Sequence, residues 1–395
     1  MKKTLAVAVI LSATFLIMAQ TEPDYHAIAE SIVKHSLQVQ PGEVVILSGT
    51  PAELDLLSAM FVAVSKAGGQ PSIDMFIPKA NKLAIMETPV EYLGQIPKYY
   101  VMQMSMADCF FGAGSNQDPT LYTDVPEERL AASRKSNMAV QNMLSNSKIR
   151  SVGLGQSGGI PTQAYADMTG ADFSEMLEMF WKSVNTDYMK MTATGNKLTK
   201  LLKPGSEVHL TSKAGTDLRF ILGKHASRIN SGRCLDNQDP FGPSMAFLPA
   251  GEVYNCVDTK SANGTVVIPS MTIRGQKVSN LKLKFEDGLI VDTQADKNAE
   301  LIERLLKTSN EQSGVLSIID LGINPDSHPL EGSDFYSWEM NGLVTLATGS
   351  NTWAGGDLIS DSGLTLHIAN SDLTVNGTQL IKEGVLLIDQ QAEYR

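Results

Sequence analysis

Cysteine and histidine are scarce in this chain of 395 residues, which contains three cysteines and six histidines. The spacing of Cys109, Cys234 and Cys256 includes no C-x-x-C pair, which excludes a zinc knuckle and a disulfide framework. Two alternatives stay open: one bridge, most easily between Cys234 and Cys256, or three buried free thiols. Since no cysteine–histidine pairing and no G-x-S-x-G elbow stands out, a cysteine or serine hydrolase is not predicted.

Long runs of positive charge are also absent. Lysine and arginine total 32 against 43 acidic residues, which gives a formal net charge of −11. Binding of nucleic acid or of an anionic membrane requires clustered positive charge, so neither partner is predicted. The acidic excess permits steering of cationic substrates, but many soluble secreted proteins show the same balance, and that reading is preferred.

The mostly apolar run at residues 5–19 follows two lysines, Lys2 and Lys3. It is too short to span a bilayer comfortably, and it matches the hydrophobic region of a secretory signal. We therefore expect residues 1–20 to be a signal peptide and the mature protein to be secreted or periplasmic. No membrane association is expected once the signal is removed.

Strand-like and helical patterns alternate in the first half of the chain. Residues 41–49 read as a buried strand after a Pro-Gly turn, and a helical period follows with Leu56, Met60 and Val64 on one face. The segment at 71–78 is then predicted to be a second strand. Such β-α-β units predict a parallel sheet covered by helices.

Short strand-like runs separated by glycine and Asn-Gly turns replace this pattern near residue 200. The turn at Asn376-Gly377 predicts a tight hairpin. The fold class predicted is α/β: an N-terminal layered parallel-sheet domain over residues 21–200, followed by a strand-rich α+β C-terminal domain over 201–395.

The glycine-rich segment at 152–159 satisfies the pattern G-x-G-x-x-G. A dinucleotide site needs a helix that opens at this loop, so that its N-terminal amides face the pyrophosphate. Pro161 more naturally begins a helix after the loop has ended. We predict an ordinary loop and no nucleotide cofactor.

Four segments, taken in order, resemble the thermophilic-type metalloaminopeptidases, the family of aminopeptidase T and aminopeptidase S. The chain is similar to a divergent member of that family from about residue 25 to its C-terminus, and the Pro-x-Gly-Glu-Val segment is the most specific piece. The resemblance implies a dimeric exopeptidase that removes N-terminal amino acids from peptides, with a two-metal site in its C-terminal domain. The segments are VQPGEVVILSG (39–49), the Pro-Thr-x-x-Ala helix pair (158–181), GTDL (215–218) and the Pro-x-Gly-Glu-Val region (247–268).

The resemblance implies metal ligands at three acidic positions. Glu252 matches the family glutamate after Pro-x-Gly and would be the catalytic acid as well as a ligand. Asp320 stands where the family has a glutamate before Leu-Gly-Ile, so the acid is kept but its side chain is shorter by one methylene. Glu339, in Ser-Trp-Glu-Met, matches a third acid.

The remaining positions depart from the family pattern. Thr345 replaces a histidine, Trp353 or its neighbour Thr352 replaces a tyrosine, and the later His-x-Asp pair falls near Thr365. His367 lies on the same strand face as Thr365, and it is either a substitute ligand or an ordinary core or rim histidine.

These replacements predict a depleted metal site. The family resemblance implies zinc or cobalt, but the remaining carboxylates suit magnesium, manganese or calcium better, and a site without metal is a further alternative. Two functions follow: an exported aminopeptidase-family protein with weak or altered activity, or a non-catalytic relative that binds a peptide or small amine. A homodimer is expected from the resemblance.

Overall fold

The computed structural model describes residues 23–388 apart from 116, 119, 127, 135–146, 156–158, 235–243, 274–275, 309 and 361. The predicted signal peptide and the third glycine of the G-x-G-x-x-G pattern lie outside the described residues. Within them, no helix combines the length and apolar character that crossing a membrane requires.

The described residues build three sheets, of five, eight and five strands, with strands numbered here in chain order. The first sheet is parallel, in the order β2-β1-β3-β4-β8. Its last strand follows residue 200, so the chain returns to this sheet after the predicted domain boundary, which stays a prediction. The strands are β1 (Val44–Gly49), β2 (Gln70–Met75), β3 (Cys109–Ala113), β4 (Arg150–Leu154) and β8 (Met245–Leu248).

The second sheet is antiparallel in the order β12-β11-β10-β6-β5-β16-β17-β18. The predicted Asn376-Gly377 hairpin joins two of its strands, and both turn residues have positive φ. The strands are β5 (Glu207–Ser212), β6 (Asp217–Ile221), β10 (Asn263–Ile273), β11 (Gln276–Glu286), β12 (Leu289–Gln294), β16 (Ser371–Val375), β17 (Thr378–Lys382) and β18 (Val385–Leu386).

The third sheet, called the site sheet below, is antiparallel in the order β15-β14-β13-β9-β7. With the parallel sheet and the helices, it confirms the predicted mixed α/β class. Its strands are β7 (Arg228–Asn230), β9 (Glu252–Cys256), β13 (Leu316–Gly322), β14 (Val344–Thr348) and β15 (Thr365–Ile368).

Local sequence signals explain where the helices begin. A reciprocal capping box between Thr50 and Glu53 precedes α2, and the predicted apolar stripe of that helix is buried. The helices are α1 (Tyr25–Ser31), α2 (Leu54–Lys66), α3 (Pro78–Glu87), α4 (Val90–Leu93), α5 (Lys98–Met106), α6 (Gln163–Thr169), α7 (Phe173–Val184), α8 (Tyr188–Thr199) and α9 (Ala299–Thr308).

Apolar residues recur at helical spacing from Phe173 onward, and two consecutive helices, α7 and α8, share them. Asp187 ends the first helical run because its side chain accepts hydrogen bonds from the Met189 and Lys190 amides and so begins a new helix. Helix α8 then packs on β7 and β9 of the site sheet.

All three cysteines are buried free thiols, the second of the two alternatives left open by the sequence. Burial raises the pKa of Cys109 and of Cys234 to about 12. These thiols therefore stay protonated and unreactive at neutral pH.

Candidate functional site: an acidic row on one sheet face

The strand register of the site sheet places four residues predicted from the sequence, together with Tyr254, on one face of the sheet. Asp320 on β13 lies opposite Tyr254 on β9 and Thr345 on β14, and Thr345 lies opposite His367 on β15. Directly opposed residues of antiparallel strands project to the same face. Glu252 is two residues from Tyr254 and shares that face as well. We call this set the acidic row.

A glycine allows the loop that carries the third acid to approach this row. Gly322 ends β13 opposite Glu252. A Cβ atom there would overlap the carbonyl oxygen of Met340 and come within 2.7 Å of that of Trp338. The loop is tied down by the Asn324 amide, which donates to the Glu339 carbonyl at 2.9 Å. Only glycine permits this approach.

Asn324 also positions the other side of the row, although no sequence motif singled it out. Its fully buried side chain donates to the Ala250 carbonyl at 2.6 Å and to the Ser183 carbonyl at 3.0 Å. The first bond holds the turn that precedes Glu252, and the second anchors that turn to α7. A buried asparagine with these partners can be identified only from the tertiary contacts.

Asp320 is the most unusual group of the row. It is fully buried, and neither oxygen of its carboxyl group has a hydrogen-bond partner among the described residues. Burial raises its pKa well above the ordinary range, and the neighbouring charges of Glu252 and Glu339 raise it further. The Asp320 carboxyl therefore tends to keep its proton unless a positive charge comes close.

Glu339 is buried to a similar degree but is solvated by hydroxyl groups. Ser327 Oγ donates to its Oε1 at 3.4 Å, and Ser337 Oγ donates to its Oε2. Burial raises the pKa of Glu339 to about 7, because these hydrogen bonds offset only part of the desolvation. Glu339 is thus poised to change charge near neutral pH.

His367 is occupied by protein contacts. Its Nδ1 lies 2.9 Å from Thr345 Oγ1, and its ring stacks with Tyr336 at a centroid distance of 5.8 Å. Trp338 contacts the same ring edge-on at 6.1 Å. Burial lowers the pKa of His367 to about 4, so the imidazole is neutral at pH 7.

The other two predicted lining residues lie at opposite margins of the row. Trp353 is half exposed in the short helical turn Thr352–Ala354 and packs on Tyr254, with ring centroids 5.2 Å apart. Thr365 lies on β15 beside His367 and lines a cavity of about 410 Å³ with aromatic walls. Sequence reasoning missed Arg228, which is opposite Tyr254 on β7. Burial raises the pKa of the Tyr254 phenol, and the positive charge of Arg228 offsets part of that rise.

The arrangement does not fit a two-metal site. Within the described ranges, no three histidine, cysteine, aspartate or glutamate side chains stand close enough to hold one ion. Glu339 is hydrogen-bonded to Ser327 and Ser337, and His367 is hydrogen-bonded to Thr345. Asp320 interacts with Glu252 and Glu339 through electrostatic repulsion. The ligand roles of Glu252, Asp320 and Glu339 therefore stay predictions.

Known proteins similar to this chain include both peptidases and an enzyme of different chemistry. Aminopeptidase PepS of Streptococcus thermophilus is 22% identical over 394 residues, covering 90% of this chain and 93% of that protein. The structure of wild-type AmpT from Thermus thermophilus aligns with a TM-score of 0.67 at 16% identity, covering 92% of this chain and 98% of the other.

The structure of 2,5-dihydroxypyridine dioxygenase from Pseudomonas putida KT2440 aligns with a TM-score of 0.54 at 14% identity, covering 92% and 96% of the two chains. The likeness to these structures extends over the whole fold. Residues 21–322 match the family described as Thermophilic metalloprotease (M29). The sequence match, together with the fold, shows that this chain belongs to the M29 metalloprotease family, to which the aminopeptidase resemblance had pointed.

Proposed function

We propose that this chain is an exported aminopeptidase-family protein whose acidic row binds the positively charged amino end of a peptide or small amine. Hydrolysis supported by zinc or cobalt is weak or altered. The observation that carries the proposal is the buried Asp320 carboxyl, whose two oxygens have no hydrogen-bond partner among the described residues. An ammonium group would supply the hydrogen-bond donors that those oxygens lack.

An ammonium ion matches this environment in charge and in hydrogen bonding. It brings three N–H donors and no acceptor, whereas an ionised carboxylate is an acceptor only. Its positive charge would also lower the raised pKa of Asp320, so binding would be accompanied by proton release. Glu252 and Glu339 add negative potential on the same side.

The weak activity follows from the groups that stand at the imidazole positions. Thr345 offers a neutral hydroxyl, which is a poor ligand for zinc, and this hydroxyl is already bonded to His367. A divalent metal agrees with the family, and magnesium, manganese or calcium would suit carboxylate oxygens best. The dioxygenase relative shows that this fold carries more than one reaction, so family membership alone does not fix the chemistry.

A non-catalytic amine- or peptide-binding protein is the second candidate, since the same row would bind an amino group without cleaving a bond. Metal content separates the two candidates first. We expect mass spectrometry of the purified protein to find substoichiometric zinc and cobalt. We also expect leucine p-nitroanilide to be hydrolysed slowly or not at all when either metal is added.

Amine recognition is tested by calorimetry with L-leucinamide and its deamino analogue, 4-methylpentanamide. We expect leucinamide alone to bind, and Asp320→Asn to weaken that binding by about tenfold, since a charge-assisted hydrogen bond is lost. Glu331→Gln, at an exposed acid of the same region, is the matched control. Rapid turnover that is abolished by a chelator and by Glu252→Ala would instead show a fully active metallopeptidase.

Export and dimerisation are proposed from the N-terminal pattern and from the family. We expect the mature protein from its native host to begin near residue 20 or 21, as read by intact mass. Light scattering at micromolar concentration should give twice the mass of one chain. An uncleaved cytoplasmic chain would contradict export, and a monomer would contradict the dimer.

A further inference from the structure

Exposed apolar side chains are concentrated in the segment 76–106, which follows β2 and contains α3, α4 and α5. More than a third of the large apolar side chains that are exposed in the described ranges belong to this segment. A concentration of this kind is typical of an interaction surface. We call the exposed apolar side chains of this segment the outer surface. Those on its helices are Leu83, Met86, Tyr92, Tyr99, Met102 and Met106.

Helix α5 is apolar on both of its sides. On the inner side, Met104 lies in one buried cluster with Ile46 of β1. On the outer side, Tyr99, Met102 and Met106 follow one another at helical spacing, and each is 67% exposed. A surface helix normally has a polar outer side, whereas a helix that is apolar all round is typical of a buried position. The outer side of α5 therefore matches a helix that another surface covers.

The extent of the outer surface matches that of a stable protein interface. Its nine side chains are between 39% and 67% exposed. If each offers roughly 150–200 Å² when fully exposed, the outer surface presents on the order of 800 Å². The largest apolar patch of a typical monomer is about 300–600 Å², and a stable interface takes about 800 Å² from each partner. The outer surface is therefore large enough for a protein partner.

The distribution of charge favours a second copy of this chain as that partner. The chain has a formal net charge of −11, and charge of one sign keeps identical molecules apart. Within 76–106, three lysines and two glutamates nearly cancel, so the repulsion between copies is smallest there. Lys79 and Lys98 are exposed together with Glu87 and Glu91. A symmetric interface makes each contact twice, so lysines of one copy can meet glutamates of the other.

We propose that two copies of this chain meet through the outer surface, with α5 at the centre of a symmetric interface. The flexible thioether side chains of Met102 and Met106 suit such a contact, because they adapt to an opposing surface without a preformed pocket. This inference rests on the homodimer of the proposed function and is independent of amine binding. It adds the location of the interface, in the N-terminal region rather than on the site sheet.

Sedimentation equilibrium over a range of concentrations tests the location through three variants. Met102→Glu should raise the dissociation constant of the dimer at least about 100-fold, because symmetry buries the new charge twice. Met102→Leu keeps an apolar side chain and should stay within about threefold of the wild type. Met189→Glu is the matched control, at a methionine of α8 that is 65% exposed, and should leave the dissociation constant unchanged. Thermal unfolding confirms that each variant is folded.

Oxidation of the wild-type protein locates the interface without any substitution. Hydrogen peroxide converts accessible methionines to sulfoxides, which mass spectrometry of peptides quantifies. At concentrations where the dimer forms, Met102 and Met106 should be oxidised at least about fivefold more slowly than Met189, since the second copy covers them. After dilution below the dissociation constant, the three methionines should be oxidised at similar rates.

The outcomes separate the interface from the dimer itself. A dimer that persists unchanged in Met102→Glu, with Met102 oxidised as fast as Met189, would overturn this interface and leave the proposed dimer standing. A wild-type monomer at high micromolar concentration would overturn both. Monomers that bind vesicles of phosphatidylcholine, and lose that binding in Met102→Glu, would assign the outer surface to lipid and would also overturn the second copy as its partner.

Discussion

The two faces of the site sheet are built from the same strands and differ in every respect that matters for function. One face presents Val253, Ile319, Leu321, Leu346 and Leu366, all buried in the main hydrophobic core. The other presents the acidic row, in which the Asp320 carboxyl has no hydrogen-bond partner among the described residues and the pKa of His367 is lowered to about 4, and Glu339 approaches this face from a loop. A strand alternates its side chains, so a single register sets both faces together.

This difference teaches that alternate residues of each strand have different roles: one set stabilises the fold, and the set between them forms the recognition face. The apolar face contributes transfer free energy, about 1.5–3 kcal/mol for each fully buried aliphatic side chain. The polar face desolvates acids and so lowers stability, but it holds them where a cation can use them. The four predictions below break or sharpen that contrast.

The largest effect is expected on the apolar face. Leu346→Ala should lower the free energy of unfolding by about 3–4 kcal/mol, because it opens a cavity in a fully buried position of β14. Urea denaturation measures the loss. Leu289→Ala, at a leucine that is 38% exposed, should cost far less. A loss below about 1 kcal/mol for Leu346→Ala would mean that this face does not support the sheet.

The polar face should make stability depend on pH. Glu339 has an ordinary pKa of 4.5 and a folded pKa of about 7, so between these values the folded protein holds a proton that the unfolded chain has released. The contribution of Glu339 to the free energy of unfolding should therefore fall as pH rises from 4.5 to 7, by at most about 3 kcal/mol, and level off above 7.

Denaturation at a series of pH values tests this dependence. Glu339→Gln should make the curve less steep across that window, leaving the slope due to Asp320, whose pKa is also raised, whereas the exposed Glu331→Gln should reproduce the wild-type slope. Parallel curves for wild type and Glu339→Gln would refute the assignment of the slope to this group.

The contact between the end of β13 and the loop that carries Glu339 should not tolerate an added methyl group at Gly322. Gly322→Ala places a Cβ on the Met340 carbonyl, so we expect a loss of about 2 kcal/mol in unfolding free energy and displacement of Glu339. Gly314→Ala has only ordinary contacts and is the control. Unchanged stability and unchanged leucinamide binding in Gly322→Ala would contradict the proposed role of this glycine.

The smallest effect is expected within the row itself. Thr345→Val removes the hydrogen bond to His367 at almost constant volume and should cost about 1 kcal/mol in unfolding free energy. Thr378→Val, at an exposed threonine of β17, should be close to neutral. Equal values for the two variants would show that the Thr345–His367 contact adds nothing to stability.

Much of the fold could be predicted because it is coded by local patterns. The strand at 41–49, the stripe of α2 and the Asn376-Gly377 turn were each predicted from a few neighbouring residues and are present. The apolar spacing continues past Val184, but the cap of Asp187 begins a new helix there, so spacing alone does not give the end of α7. The return of β8 to the parallel sheet was missed because strand pairing joins residues far apart in sequence.

The sequence by itself determined the α/β class and the family, because these depend on short segments with fixed chemistry; it also singled out Glu252, Asp320 and Glu339, whose roles stay predictions. Only the tertiary structure decided what surrounds those acids. Neither oxygen of the buried Asp320 carboxyl has a hydrogen-bond partner among the described residues. Ser327 reaches Glu339 across twelve residues of one loop, and Thr345 meets His367 from a neighbouring strand. Desolvation and charge act through space, so the pKa values of these groups and the neighbouring aromatic cavity are set by packing that sequence spacing does not encode.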